Sequence, residues 1–523
     1  MKNLTKLGLG ILILAIFLTG CQQPQKTVDT EFTFITVTGG DPVNFNPDAR
    51  SDDMAYGANQ NIFNRLVKLG PKDNVLPDLA KSWEFSEDGT VLTFHLQEGV
   101  KWHDGEPFSS ADVKWTYDTL IAENWQMSSQ FASVVSIEAP DDNTIVMNLA
   151  YADATIIAKL SWYATFIMPK HIYEGTDYDT NPANENPIGT GPFKFVSWEK
   201  GVAITLERND DFWGDKPYIK TLIYQIIPDE ETRYQAFING EVDYIGSIPT
   251  AHLDDLDGDP NYRFEYALGI NRTYITFNMY TDENGNPKSA LGSDLAFRMA
   301  VAYAVDQDSI FARVGGAGAK CETFISPVFV DFVTEDFKMP ATDIDKAMEI
   351  LEAAGYTKNA DGYYVEVTLD FFDSGNWKDL AEIIRANLDK AGIKVTLNMM
   401  DINAWMTKVM EDDDFEMTFL AGYQGPDVSG VSGRVQSTGA TNIAGYNNPE
   451  IDKYLDAGTA TSDPEARAAA YYEVQRIMSE DMPMVFLIDN GYKYALKNEF
   501  TGFPIEVADK AAASEWTYLQ KAQ

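Results

Sequence analysis

The chain has 523 residues and sets 80 acidic against 40 basic side chains, a formal net charge of −40. So large a deficit of Lys and Arg excludes nucleic acid as a partner, because phosphate neutralisation needs those side chains, and it holds the body of the protein off anionic lipid. Only two cysteines are present, Cys21 and Cys321, so no disulfide framework holds the fold and stability must come from a large core.

At the N-terminus, Lys2 and Lys6 flank the start of an apolar run, Leu7 to Phe17, that is too short to span a bilayer as a stable helix. Leu18-Thr19-Gly20-Cys21 follows, and the whole segment resembles a bacterial lipoprotein processing site. The resemblance implies a signal peptide of residues 1–20, cleavage before Cys21 and diacylation of its thiol. The mature chain is then anchored to the membrane through lipid rather than spanning it. Residues 21–30, polar and with one proline, read as a lipidated cysteine and a flexible tether. Cys321, with no partner and no histidine near it in sequence, reads as structural.

The body opens with a strand in which Phe32, Phe34 and Thr36 alternate with Thr33, Ile35 and Val37. A loop, GGDPVNFNPD, leads to a helix expected over Ala55 to Lys68, with Ile62, Phe63, Leu66 and Val67 on one face. Thr90 to Leu96 alternates as a half-buried strand after an Asp88-Gly89 turn. A second turn at Asp104-Gly105 precedes a helix capped by Ser109 or Ser110. Strands are expected at Thr144–Leu149, Phe193–Trp198, Ala203–Arg208, Thr221–Ile227 and Gly240–Gly246, with a helix from Glu230 to Asn239. After about Leu268 a second lobe begins, with a strand at Tyr274–Asn278 and a helix at Leu295–Ala304.

Asp282 to Pro287, DENGNP, is only superficially like a calcium loop. It lacks the bidentate acid, and Pro287 replaces the required glycine. Residues 364–421 then read as β-α-β-α-β, the pattern of a parallel sheet with right-handed crossovers. A late helix, Ala466–Glu480, and two short strands, Met484–Ile488 and Tyr492–Lys497, finish the chain.

Ligands of open α/β sheets bind outside the carboxyl ends of the strands. That rule points to the loop after Phe415–Ala421, which holds Tyr423, Asp427 and Arg434 among four glycines. Catalysis has little to work with. The four histidines, His95, His103, His171 and His252, show no metal-ligand spacing, and neither HExxH nor GxSxG occurs. Acid pairs such as Asp52-Asp53 are too common at this composition to mark a glycosidase dyad. No catalytic residue, metal or cofactor is expected.

Three strings carry a family resemblance: Ser82 to Asp118, SWEFSEDGTVLTFHLQEGVKWHDGEPFSSADVKWTYD; ETRYQAFINGEVDYIG, ending at Gly246; and FRMAVAYAVDQDSI, ending at Ile310. They resemble the family-5 extracellular solute-binding proteins of ABC transporters, which include oligopeptide, dipeptide and nickel binders. The resemblance implies an α/β, bilobal, periplasmic-binding-protein-like clamshell. Its first lobe would span residues 31–270, with a subdomain of about 71–180. The second would span 271–488, and 489–523 would return to the first. It further implies a monomer that holds a peptide or other small polar ligand between its lobes and passes it to ABC permease subunits.

Carried over by position, the site residues are Gly246 and Ser247 for backbone and polar contacts, Trp405 against a ligand side chain or in the core, Tyr56 at the start of the first helix, and the Tyr423–Arg434 loop. Peptide-binding relatives have a Gly-Trp and then an aspartate for the α-ammonium. Here Tyr423 stands for the tryptophan, the aspartate position falls at or next to Pro426, and Asp427 is the nearest carboxylate. Arg434 is an alternative reader, of a carboxylate. Three readings stay open: a peptide uptake receptor, the same scaffold for an oligosaccharide or another polar metabolite, and an anchored secreted hydrolase.

Overall fold

The computed structural model describes residues 28–29, 31–49, 52–70, 75–256, 258–314, 316, 318–507, 510, 512 and 514–522. The signal segment, Cys21 and most of the expected tether lie outside the described residues. Among those described, no helix is long and apolar enough to cross a membrane. The end of the expected tether is not free, because Val28–Asp29 pairs antiparallel with Gln520–Ala522.

The first lobe is built on a four-stranded sheet in the order Phe32–Thr38, Ile219–Ile226, Ala203–Arg208, Phe193–Glu199. Its core, around Phe34, Phe63 and Phe193, also takes in Phe500, Phe503 and Trp516 from the end of the chain. Phe34 packs against both Phe500 and Trp516 with ring centres 5.2 Å apart. A separate core around Leu92, Phe94, Trp102 and Tyr117 lies under a second sheet, ordered Ala80–Phe85, Val91–Leu96, Thr144–Leu149, Val134–Asp141. Its helix, Ser110–Ala122, starts with a capping box: Ser109 Oγ accepts from the backbone of the first turn while Ser109 N–H donates to Asp112 Oδ2 at 2.9 Å.

His103 ties the WHDG turn to the Gly189–Gly191 turn. His103 Nδ1 accepts from Gly189 N–H at 3.2 Å and its Nε2 lies 3.0 Å from the Gly191 carbonyl. This pattern defines a neutral imidazole protonated at Nε2. The two glycines it holds press against the end of the Asp53–Ile62 helix, where a Cβ on Gly189 would fall 1.8 Å from the Ile62 carbonyl oxygen. That contact explains a departure from expectation. The helix does not run on to Lys68. It stops at Ile62, Phe63 turns extended, and Val67–Leu69 becomes a strand paired with Val75–Pro77.

The second lobe carries a seven-stranded mixed sheet. Val365–Phe372 lies parallel to both Ile393–Met400 and Met417–Tyr423, as the β-α-β-α-β pattern requires. Two very long strands complete it, Tyr262–Phe277 and Met484–Lys497, antiparallel to each other. The short strands expected at 274–278, 484–488 and 492–497 are parts of these two. Each begins or ends beside first-lobe elements, since Leu496 and Ala495 also pair with Tyr244 and Ile245. The expected strand over 240–246 shrinks to that pair.

The two long strands change register between Leu268 and Arg272. There Asn490 Nδ2 donates to Asn271 Oδ1 at 3.0 Å and Thr273 Oγ1 at 3.1 Å. Next to this irregularity Arg272 is fully buried. Its Nε donates to Asp489 Oδ1 at 2.6 Å and its Nη atoms to the carbonyls of Phe324 and Thr323 at 3.0 and 2.8 Å. Cys321 is buried beside the pair, and burial pushes its thiol well above the ordinary value, so it is inert.

Candidate functional site

A cavity of about 650 Å³ opens between the lobes. One wall is the segment from Tyr151 to Trp162 with Gln130. The other is the Gly425–Gln436 loop with Asp456 and Thr459. The walls touch directly, Ala154 N–H donating to the Thr459 carbonyl at 3.0 Å.

The first-lobe wall is set by a buried aspartate. Asp153 accepts from Ser133 Oγ at 2.8 Å, Thr155 Oγ1 at 2.5 Å and Lys159 Nζ at 3.0 Å. Burial alone would raise this carboxyl, but the Lys159 ammonium and the hydroxyls hold it below the usual carboxylate range. The helix Ile156–Leu160 is thereby fixed, and Trp162 follows it into the cavity.

The second-lobe wall hangs from the carboxyl end of Met417–Tyr423, where the sheet rule places a ligand. Beyond it the chain doubles back so closely that a Cβ on Gly430 would fall 1.4 Å from the Gln424 carbonyl oxygen. Asp427 caps the short helix Val428–Val431, its Oδ1 accepting from Ser429 N–H at 2.9 Å. Arg467, from the helix Pro464–Asp481, donates through Nη2 to both Asp427 oxygens, at 2.7 and 3.0 Å.

The structure separates the residues expected at the site. Asp427 lines the cavity, whereas Tyr423, Arg434, Trp405, Gly246, Ser247 and Tyr56 do not. Arg434 is buried beneath the loop, with Nε on the Tyr274 hydroxyl at 3.2 Å and Nη2 on the Tyr423 carbonyl. It therefore braces the strand end. Trp405 is 5% exposed, donates to Thr418 Oγ1 at 3.1 Å and packs edge-on to Phe372, which places it in the core of the second lobe. Tyr423 is 58% exposed at the end of its strand. Tyr492, Tyr494 and Tyr244 follow one another at 6.1 Å, an aromatic row leading to the first lobe. Ser247 donates to Glu230 at 3.0 Å, with Gly246 half-buried beside it, and Tyr56 packs on Tyr163 at 5.0 Å.

Sequence reasoning passed over Tyr151, Lys159, Trp162 and Arg467. The first three lie in a stretch without a strand pattern. Arg467 is separated from Asp427 by 40 positions, and helical periodicity alone does not indicate its partner. The DENGNP segment closes on itself, Asp282 Oδ1 accepting from the backbone N–H of Asn284 and Asn286, each at 2.8 Å. Among the described residues no group of three metal-ligating side chains converges.

Comparison with known proteins agrees with this architecture. Oligopeptide-binding protein AppA of Bacillus subtilis is 26% identical over 528 residues, with 94% of each chain covered. A dipeptide-binding protein of Escherichia coli is 26% identical over 543 residues, with 98% of each covered. The ABC transporter substrate-binding protein CtaP of Listeria monocytogenes superposes with a TM-score of 0.82 over 95% of this chain and 100% of its own, at 22% identity, a likeness of fold. The profile of the bacterial extracellular solute-binding proteins, family 5 Middle, matches residues 74–442. The chain therefore belongs to family 5 of the bacterial extracellular solute-binding proteins.

Proposed function

We propose that this protein is the capture subunit of an ABC importer, that it takes peptides into the cavity between its lobes, and that it hands them to a membrane permease. The observation that carries the reading is the cavity itself, walled by both lobes and lined with hydroxyls, amides and a tryptophan. Such a lining suits an extended chain held by hydrogen bonds and bridging water, with side chains accommodated rather than selected. The names of the Bacillus and Escherichia relatives, which bind oligopeptides and dipeptides, support the same choice.

A ligand touching both walls favours the closed arrangement by its differential affinity for it. The long crossing strands, with their register change at Leu268–Arg272, are the connection about which the lobes would move. Hydrolysis of ATP belongs to other subunits, and no enzymatic role is assigned to this chain. The Lys2–Cys21 segment supports lipid anchoring at the outer face of the membrane, with the chain acting as a monomer. The proposal is tested by mass spectrometry of material released from the purified protein on denaturation. A set of peptide masses is expected, and a single non-peptide species would replace the peptide reading with the polar-metabolite one.

A further inference from the structure

The charges on the cavity walls restrict what the cavity accepts. Two of them already face an opposite charge: Asp427 meets Arg467 at 2.7 and 3.0 Å, and Lys159 meets Asp153 at 3.0 Å. The Asp427–Arg467 side chains are only 14% and 12% exposed. Arg467 cannot easily swing away. Its Nε donates to the Gly458 carbonyl at 2.9 Å and its guanidinium lies 5.1 Å from the Phe332 ring centre. An ammonium brought to Asp427 would therefore meet a fixed cation in a partly desolvated site, where like charges repel strongly. One carboxylate on the wall has no cation beside it among the described residues, Asp456. It sits exposed at the rim, bonded to Gln436 Nε2 at 2.8 Å, where water and salt screen it. The other polar groups of the walls, such as Gln130, Ser429, Ser432 and Gln436, are uncharged.

We propose that Arg467 sets the specificity of this cavity: by neutralising Asp427 it makes the cavity a receiver of uncharged hydrogen-bonding groups rather than of a free ammonium. The inference rests on the peptide reading and narrows it. The part of the peptide lodged here is backbone amide, a blocked N-terminus or a neutral polar side chain.

The test offers equal amounts of free and Nα-acetylated tri- to nonapeptides to the full chain, stripped of co-purified material, and identifies the retained peptides by mass spectrometry. Wild-type protein is expected to retain acetylated peptides as well as free ones. Arg467→Met leaves Asp427 unpaired and is expected to shift retention towards free amines by about tenfold, as a new charged hydrogen bond would. Arg467→Lys restores a cation and should restore the wild-type ratio, which a purely structural role for Arg467 would not explain. Should Arg467→Met fail to fold, the wild-type ratio and that of Asp427→Asn decide, since an aspartate that reads no ammonium leaves the ratio unchanged when neutralised. Wild-type preference for free over acetylated peptides by about tenfold would overturn the inference and leave the peptide reading standing. Retention of neither set would overturn both.

Discussion

Replacing Asp489 by asparagine should destabilise the second lobe by about 3–5 kcal/mol, the usual cost of removing one partner from a buried ion pair. Arg272 is fully enclosed, and Asp489 is its sole carboxylate contact among the described residues. After the substitution its charge would keep the carbonyls of Thr323 and Phe324 and the Phe486 ring at 4.1 Å, but no counter-ion. The pair as a whole is a different matter. Burial pushes the Asp489 carboxyl up despite Arg272, so desolvation outweighs attraction on the acid's side. An acid raised in the folded state contributes less stability as pH climbs from its unfolded value through its folded one. Replacing both partners with apolar residues, Arg272→Met with Asp489→Leu, should therefore cost much less than the sum of the single changes. Urea denaturation followed by tryptophan fluorescence provides the free energies. A loss below about 1 kcal/mol for Asp489→Asn, the range of an exposed pair, would contradict a buried Arg272 that depends on Asp489, and so would strict additivity of the two single changes.

Three further outcomes follow from the geometry. Burial holds the His103 imidazole down to about 4; the unfolded chain takes up this proton near 6.5 and the folded one does not, so stability should fall as pH drops from 6.5 towards 4, by roughly 3 kcal/mol in all. His103→Asn should flatten that part of the profile, measured as the difference in unfolding free energy between the two proteins. Ser109→Ala removes half of the capping box and should cost about 0.5–2 kcal/mol in denaturant melts. Gly430→Ala drives a methyl into the Gln424 carbonyl, so ligand retention should collapse while far-ultraviolet dichroism stays close to wild type.

Local signals carried most of the fold. Gly89 and Gly105, at φ 71° and 97°, make the turns their Asp-Gly pairs announce, and the alternation around Val365–Phe372 and Ile393–Met400 gave parallel partners correctly. Failures came where distant contacts override local pattern. The Asp53–Ile62 helix reads as longer because Leu66 and Val67 continue its apolar face, yet the Gly189–Gly191 turn seals its end. Tyr262–Phe277 reads as a short strand from Tyr274, although Tyr262, Phe264 and Tyr266 alternate with Arg263, Glu265 and Ala267; this first half is half-exposed on both faces and gains its partner from the distant residues 484–497. The cavity wall was legible as a loop at a sheet edge, not as a set of side chains. Arg434 and Trp405 belong to the same stretch of sequence as the cavity wall but point into the lobe. The neutralising Arg467 comes from a different helix.

Peptide capture in the cavity is tested by calorimetry of the stripped protein against the tri- to nonapeptide pool, with Ser432→Trp as the companion variant that fills the cavity. Heat of binding is expected with wild type and its loss in the variant, with both proteins melting at similar temperatures. Equal binding by the two would place the ligand elsewhere, and silence in both would contradict peptide capture.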